Sequence, residues 1–450
     1  MAATTGAGAG PGAERIPLVE HVADALALLD AVRVVELIPL DGAAAGRCAA
    51  SDVRARIDVP GHDNSQMDGF AVAATDLGGA YEDGAGRDGG GQQTTLPLGP
   101  TIAAGDAPGH LTPSTARPIM TGAPIPAGAD LVVPVEQSAP GSFDRLPSGA
   151  TTITLHPTDP TPGRFVRRRG SDTRRDDTVL RRDQILTPAR IAHLAACGVA
   201  EVDVLTRPRT VVLSTGSEVA ATVAEMVAGG TPDANGPGLA AALRAAGAEV
   251  VHTGTVPDDA AALLETLCTV VEAREAELII TSGGVSEGAF EVVRQAAADP
   301  TVTMTFDKVA MQPGGPQGLG TLDLPPVRDV GARDAGQPGR RVPWLAFPGN
   351  PVSALLSCEL IARPALRAPE RMRLRLPLAL EQAEPSPPAL AQYRRARVLP
   401  SGRVRLAGGP SSHLIGGLAA ANALVIVPVG VASIHDGDLL ETILLPEGDS

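Results

Sequence analysis

The sequence predicts a multi-domain α/β plus β protein: an open, mostly parallel α/β sheet with flanking small β domains and a C-terminal β domain. Three observations carry this expectation. The chain has 450 residues, which at roughly 100–200 residues per domain means several cores. Between 207 and 370 short apolar strands alternate with helical stretches, the pattern of a parallel sheet with its ligands beyond the carboxyl ends of the strands. On either side, short runs separated by Gly and Pro clusters read as strands of smaller β units.

Composition narrows the function classes. The formal net charge is −14 and hydrophobic residues make up 44%, so several cores can form, and an acidic chain is a poor default partner for nucleic acid or an anionic membrane surface, both of which demand a dense basic patch. No run approaches the ~18 uncharged apolar residues of a membrane span. The four cysteines, Cys48, Cys197, Cys268 and Cys358, are scattered and form no C-x-x-C. Neither a zinc site nor a disulfide framework is expected, and a reducing cytoplasm fits. Aromatic residues are only 2%, so the cores must be built from Ala, Val, Leu and Ile.

Taken in order, residues 1–14 are rich in Gly and Ala, lack the basic start and long apolar centre of a signal peptide, and read as a flexible tail. Residues 15–47, together with 166–206, form a helical and linking domain. In the first part, the spacing of Val19, Val22, Ala23, Leu26 and Leu29 predicts an amphipathic helix. In the second, Thr187 before Pro188 marks a helix start and Gly198 its end, giving a helix over about 188–197. Between them lies an inserted β domain, 48–165, with strand-like runs LVVPVEQ (131–137) and TTITLHP (151–157). Its segment DLGGAYEDGAGRDGGGQQT (76–94), whose glycines centre on 78–91, reads as a flexible surface loop.

The α/β domain, 207–370, has strands at TVVLS (210–214), EVVHTG (249–254), ELIIT (277–281) and VPWLAF (342–347). Helices are expected at LAAALRAAG (239–247), AALLETLCTVVEARE (261–275), AFEVVRQAAAD (289–299) and VSALLSCELIARPAL (352–366). From 371 to 450 the chain returns to short strands, among them LRLPLAL (374–380) and ALVIVPV (423–429).

Three loops of small residues follow the strands of the α/β domain. They contain Thr215 and Gly216; Ser282, Gly283, Gly284 and Ser286; and Pro348, Gly349, Asn350, Pro351 and Ser353. Glycines let backbone N–H groups approach an oxyanion, and hydroxyls add donors. One such loop is an ordinary turn; three in one unit favour anion binding. Glu218, Asp258, Asp259 and Glu291 lie beside them, although Asp258 also suits a helix N-cap. Carboxylates next to anion-binding loops are the usual means of holding Mg²⁺ against a phosphate. The substrate class is therefore a phosphorylated or oxyanionic small molecule. Lys308 is the only lysine in the chain, and its compact ammonium differs from the planar guanidinium used everywhere else. Arg167, Arg168 and Arg169 read either as a solvated turn or as a phosphate clamp. His62, His193 and His252 show no metal-ligand spacing and take structural roles.

Seven ordered motifs resemble those of the molybdopterin molybdenumtransferase family (MoeA-like), to which the gephyrin E domain is related. They are DNSQMDGFAV (63–72), PIMTGAPIPAGADLVVPVEQ (118–137), RRRGSD (167–172), STGSEV (214–219), TSGGVSEG (281–288), KVAMQPGGPQG (308–318) and FPGNPVSALL (347–356). The resemblance implies a molybdopterin-binding α/β domain and a homodimer. It also implies insertion of molybdate into adenylylated molybdopterin with release of AMP, giving molybdenum cofactor. Matched motif by motif, it assigns functional roles to Asp68, Thr121, Asp172, Glu218, Asp258 and Lys308, and to Pro348 and Pro351. Asp68 and Thr121 would reach the α/β domain of the other subunit, so the active site would be intersubunit. A molybdopterin adenylyltransferase would supply the substrate and molybdoenzymes would receive the product. The acids Glu218, Asp258 and Glu291 would hold Mg²⁺.

Three positions depart from that pattern. Glu291 stands where the family has Asp, which moves the carboxylate by about a bond length. Gln312 and Gly315 replace the two lysines of KPGKP, so molybdate must rely on Lys308, backbone donors or arginines such as Arg395. Glu287 replaces an apolar residue. These departures leave two alternatives, a non-catalytic molybdopterin carrier and a tungstate-handling variant. The adenylyltransferase of the preceding step is disfavoured by the extra β domains and the MDGF motif.

Overall fold

The structure is a computed structural model that describes residues 15–31, 33–78, 93–286, 288, 291–325 and 339–445. The expected N-terminal tail, nearly all of the glycine-rich loop and Glu287 lie outside the described residues. Two compact units emerge: an inserted unit of 37–45 and 49–203, and a main unit formed by the described residues of 1–36, 46–48 and 204–450.

The main unit opens with α1 (Leu18–Asp30), whose buried residues His21, Ala25 and Leu29 recur every fourth position and so form one stripe. In the inserted unit, β1 (Gly69–Val72), β2 (Arg117–Ile119) and β3 (Leu131–Pro134) form an antiparallel sheet with β1 in the middle. Phe70, Val72, Leu131 and Val133 build its core with Leu96, Ile153 and Leu155 from the paired strands Thr94–Pro97 and Thr152–Leu155. Helix α2 (Pro188–Ala196) is capped by Thr187, whose side chain accepts from the backbone N–H of Arg190, and Gly198 follows it at φ 78°. Start and stop signals in the sequence therefore place this helix to within a residue.

In the main unit a six-stranded sheet is assembled from β4 (Arg209–Thr215), β5 (Glu249–Val256), β6 (Leu278–Ser282), β7 (Val302–Lys308), β8 (Pro316–Leu324) and β9 (Arg340–Phe347), in the order β5-β4-β6-β9-β8-β7. The first four neighbours are parallel; β9–β8 and β8–β7 are antiparallel. Helices α3 (Asn235–Ala245), α4 (Ala260–Ala273), α5 (Val292–Ala296) and α6 (Pro351–Ser357) accompany the parallel part. Alternate strand residues serve opposite faces. Val212, Ile280 and Leu345 join Leu239 and Leu243 of α3, whereas Val211, Leu213, Ile279 and Trp344 join Leu263, Leu267 and Val271 of α4. Both faces being covered explains why these strands read as continuous apolar runs. Each fully buried Leu contributes about 1.5–3 kcal/mol.

Strands β7 and β8 were not anticipated, because Gly318 and Gly320 argue against a strand. In the fold those glycines are what lets the strands meet: a Cβ on Gly320 would lie 2.1 Å from the carbonyl oxygen of Thr303. The C-terminal sheet runs β11-β12-β13-β10, all antiparallel, from β10 (Arg373–Pro377), β11 (Ala391–Val398), β12 (Ala423–Val427) and β13 (Leu439–Leu444). Met311–Gln312 adds to it in parallel beside β11. None of the four cysteines is in a disulfide, and burial pushes the Cys358 thiol pKa up to about 12. Among the described residues no helix is long and apolar enough to cross a membrane.

Candidate active site

The three small-residue loops meet at the carboxyl edge of β4, β6 and β9. Gly283, at φ 99°, has no room for a side chain: a Cβ there would lie 2.4 Å from Thr215 Oγ1 and 2.8 Å from the Thr215 carbonyl oxygen. On its other side, a Cβ on Gly349 would stand 3.3 Å from the Cα of Gly283. Gly283 N–H donates to the Phe347 carbonyl at 2.9 Å, and Thr215 Oγ1 donates to the Ser282 carbonyl at 3.3 Å. Gly216 N–H donates to the Val256 carbonyl at 3.1 Å, which brings the loop after β5 to the same edge. Parallel strands of matched register deliver their loops side by side, so the contact follows from the sheet order.

Behind this floor stand two residues that the sequence reading missed. Asp233 Oδ1 accepts from Ser214 Oγ at 2.8 Å and from the N–H groups of Asn235 and Gly236 at 3.0 and 2.9 Å, tying the end of β4 to the first turn of α3. Asn235 Nδ2 donates to the Gly349 carbonyl at 2.7 Å and holds the third loop. An Asp just before a helix is a recognisable signal, but its bond to Ser214 is visible only in the fold.

The carboxylates flank the floor. Glu218 folds back over Gly216, where an added Cβ would lie 2.9 Å from each carboxylate oxygen. Asp258 is not the cap of α4; Asp259 is, accepting from Ala262 N–H at 2.8 Å. Asp258 instead accepts from Ser217 N–H at 3.1 Å, and its own N–H donates to Ser217 Oγ at 3.0 Å. The loops bearing Glu218 and Asp258 are thereby fastened together. Glu291 accepts from Ser286 N–H at 2.9 Å and from Ser286 Oγ, closing its own loop.

Lys308 ends β7 opposite Pro316 of β8, and Asp307 beside it bonds His21 Nδ1 at 3.1 Å. Burial lowers the His21 pKa more than Asp307 raises it. The 312–316 loop rests on α6: Gln317, wholly buried, donates to the Gly314 carbonyl at 2.6 Å and to Ser357 Oγ at 2.7 Å. A Cβ on Gly314 would lie 3.4 Å from the Ser353 carbonyl oxygen. Arg395 is engaged elsewhere. It donates to the carbonyls of Ser411, at 2.9 Å, and Gly409, and burial with Arg394 alongside lowers its pKa.

In the inserted unit, Asp68 and Thr121 form a pair. The N–H and hydroxyl of Thr121 both donate to Asp68 Oδ1, at 2.7 and 2.8 Å, across the turn ends of β1 and β2. Asp172 is exposed, and its neighbour Thr173 bonds His193 Nε2 at 2.8 Å. Two arginines of the run are paired: Arg168 with Asp63, at 2.7 Å, and Arg169 with Asp58. The Arg175 backbone N–H and Arg169 lower the Asp58 pKa; at Asp63, burial is outweighed by bonds from Arg169 and Arg168.

Comparison with known proteins gives this architecture its place. Residues 16–198 match the MoeA N-terminal region (domain I and II), 211–368 the probable molybdopterin binding domain, and 377–445 the MoeA C-terminal region (domain IV). Fold and site together define a MoeA-type multidomain α/β protein of molybdenum cofactor biosynthesis. Molybdopterin molybdenumtransferase 2 of Mycobacterium tuberculosis is 39% identical over 412 residues, 88% of this chain and 92% of that protein. The molybdopterin molybdenumtransferase of Synechococcus elongatus is 31% identical over 403 residues, 88% and 91% of the two chains. The crystal structure of the molybdopterin biosynthesis moeA protein from Pyrococcus horikoshii OT3 has the same fold, with TM-score 0.72, 23% identity and coverage of 96% and 100%. The chain belongs to the molybdopterin molybdenumtransferase family, a family of transferases.

Proposed function

We propose that the protein inserts molybdate into adenylylated molybdopterin in an Mg²⁺-dependent reaction that releases AMP and yields molybdenum cofactor. The observation that supports this best is the meeting of three glycine loops at one sheet edge with carboxylates beside them. Gly216, Gly283, Gly284 and Gly349 offer close backbone approach to phosphate and pterin oxygens, and Thr215, Ser282, Ser286 and Ser353 add hydroxyls. Asn350, Pro348 and Pro351 shape the third loop ahead of α6.

The donor set suits Mg²⁺. That ion takes one or two protein carboxylates and completes its shell with substrate oxygens and water. Glu218 and Asp258 sit on loops joined at Ser217, with Glu291 on the next loop, whereas no group of three His, Cys, Asp or Glu side chains among the described residues gathers by itself. Glu218, Asp258 and Glu291 are the acids from which the one or two carboxylates that hold the ion would come, and the ion when bound neutralises phosphoanhydride charge. Lys308 supplies a point charge for an oxyanion. Asp68, held by Thr121, and Asp172 are the acids of the inserted unit; in this reading Asp68 and Thr121 reach the site from the other subunit of a homodimer. The location is the cytoplasm, with a molybdopterin adenylyltransferase upstream and molybdoenzymes downstream.

The test mixes the purified full chain with adenylylated molybdopterin, Mg²⁺ and molybdate, and follows AMP release with reconstitution of a cofactor-free molybdoenzyme. Both signals are expected, and Asp258→Asn should lower them at least about a hundredfold with the fold intact. Full activity in that variant removes the metal-site model. Tight pterin binding without AMP release makes the protein a carrier, and turnover with tungstate in place of molybdate makes it a tungstate enzyme.

A further inference from the structure

Arg15 lies just before α1, yet the fold carries it to the 312–316 loop. Ile16 runs parallel to Val309: Ile16 N–H donates to the Lys308 carbonyl at 3.0 Å, and Ala310 N–H donates to the Ile16 carbonyl at 2.8 Å. This short bridge sets the Arg15 guanidinium against Gly315. Its Nη1 stands 3.2 Å from where a Cβ on Gly315 would be, and 3.5 Å from the Val309 carbonyl oxygen, its one hydrogen-bond partner among the described residues. The side chain is exposed, and no carboxylate among the described residues pairs with it. A guanidinium carries five N–H donors in a fixed fork, so a single long contact leaves most of that capacity unfilled.

Gly315 does not have a positive φ, so its backbone would accept a side chain. What borders that volume is Arg15 Nη1 and the Val309 carbonyl oxygen, each at 3.2 Å and bonded to one another, with the Met311 carbonyl oxygen at 3.5 Å. Lys308 is paired across the strands with the next residue, Pro316. In a chain of net charge −14, two cations on separate segments that both adjoin the 312–316 loop, Arg15 before α1 and Lys308 at the end of β7, make a local positive region that an anion would seek.

We propose that Arg15 is an oxyanion-binding residue of this site, its guanidinium acting at Gly315 in the place a cationic side chain at that position would occupy. The inference rests on the transferase reading and extends it to a residue outside all seven motifs. The ligand chemistry is a tetrahedral oxyanion, which free molybdate and a phosphate group of the pterin substrate share, and which a planar fork meets with paired charge-assisted bonds.

Two variants decide it, Arg15→Gln and the double variant Arg15→Gln with Gly315→Lys, each in the full chain. Separate KM values are measured for molybdate and for adenylylated molybdopterin, and binding of molybdate and of inorganic phosphate is followed by equilibrium dialysis. Arg15→Gln is expected to raise one KM about tenfold or more, with a smaller change in kcat, and the double variant to recover it. A rise confined to molybdate identifies that anion; a rise confined to the pterin substrate identifies its phosphate. Unchanged values for both overturn the proposal, and failure of the double variant to recover overturns the equivalence of the two positions. If the wild-type chain shows no turnover, the transferase reading fails on its own. Dialysis still decides Arg15: weaker anion binding by Arg15→Gln upholds its role, and equal binding ends it.

Discussion

Gly283 is the residue on which the site geometry turns, because both neighbouring loops touch it. Its φ of 99° disfavours any L side chain, and a Cβ would press on Thr215 Oγ1 at 2.4 Å. Gly283→Ala must therefore part the first loop from the second or distort β6. Overpacking of this kind costs about 1–3 kcal/mol, so a lower unfolding midpoint should accompany loss of AMP release; wild-type behaviour in both would mean that the loops need not touch. At this scale the sequence was partly legible. Gly216, Gly283 and Gly349 are legible as a set because small residues follow three strands of one α/β unit, where a single such loop would read as an ordinary turn. Asp233 and Asn235 stayed hidden, since their partners Ser214 and Gly349 are 19 and 114 residues away. Asp258 and Asp259 could not be told apart until α4 showed which one caps it.

At the scale of elements, the sheet positions the loops, and its rigidity comes from side chains locked on both faces. Trp344 is the only tryptophan, fully buried in β9, and its Nε1–H donates to Thr281 Oγ1 on β6 at 2.9 Å. Trp344→Phe removes that donor and leaves a hydroxyl buried without it, a cost of about 1–3 kcal/mol. Denaturant unfolding should show the midpoint fall with little change in slope; an unchanged midpoint would mean that the β6–β9 bond is dispensable. Parallel strands β4, β5, β6 and β9 were legible as apolar runs because both their faces are covered. Strands β7 and β8 were not, because Gly318 and Gly320 carry no strand signal until Met304 and Thr303 are seen against them. The same pair carries Lys308 and the 312–316 loop, so what the sequence concealed was the frame of the proposed anion-binding side.

At the scale of the whole molecule, the proposed machinery is divided: Asp68 and Thr121 belong to the inserted unit, the glycine loops and Asp258 to the main unit. Motif order along the chain records which residues each unit holds but not which copy supplies them. A homodimer with sites shared between subunits makes a quantitative prediction. Two inactive variants, Asp68→Ala and Asp258→Ala, are co-expressed with different tags, and the heterodimer is purified through both. If each site combines Asp68 of one subunit with Asp258 of the other, one site of the heterodimer carries both substitutions and the other carries neither. About half the wild-type activity per dimer should then return. If Asp68 and Asp258 act within the same subunit, every site keeps one substitution and the heterodimer stays as inactive as its parents. Recovery would also separate a defect of chemistry from one of folding, since a misfolded subunit could not complete its neighbour's site.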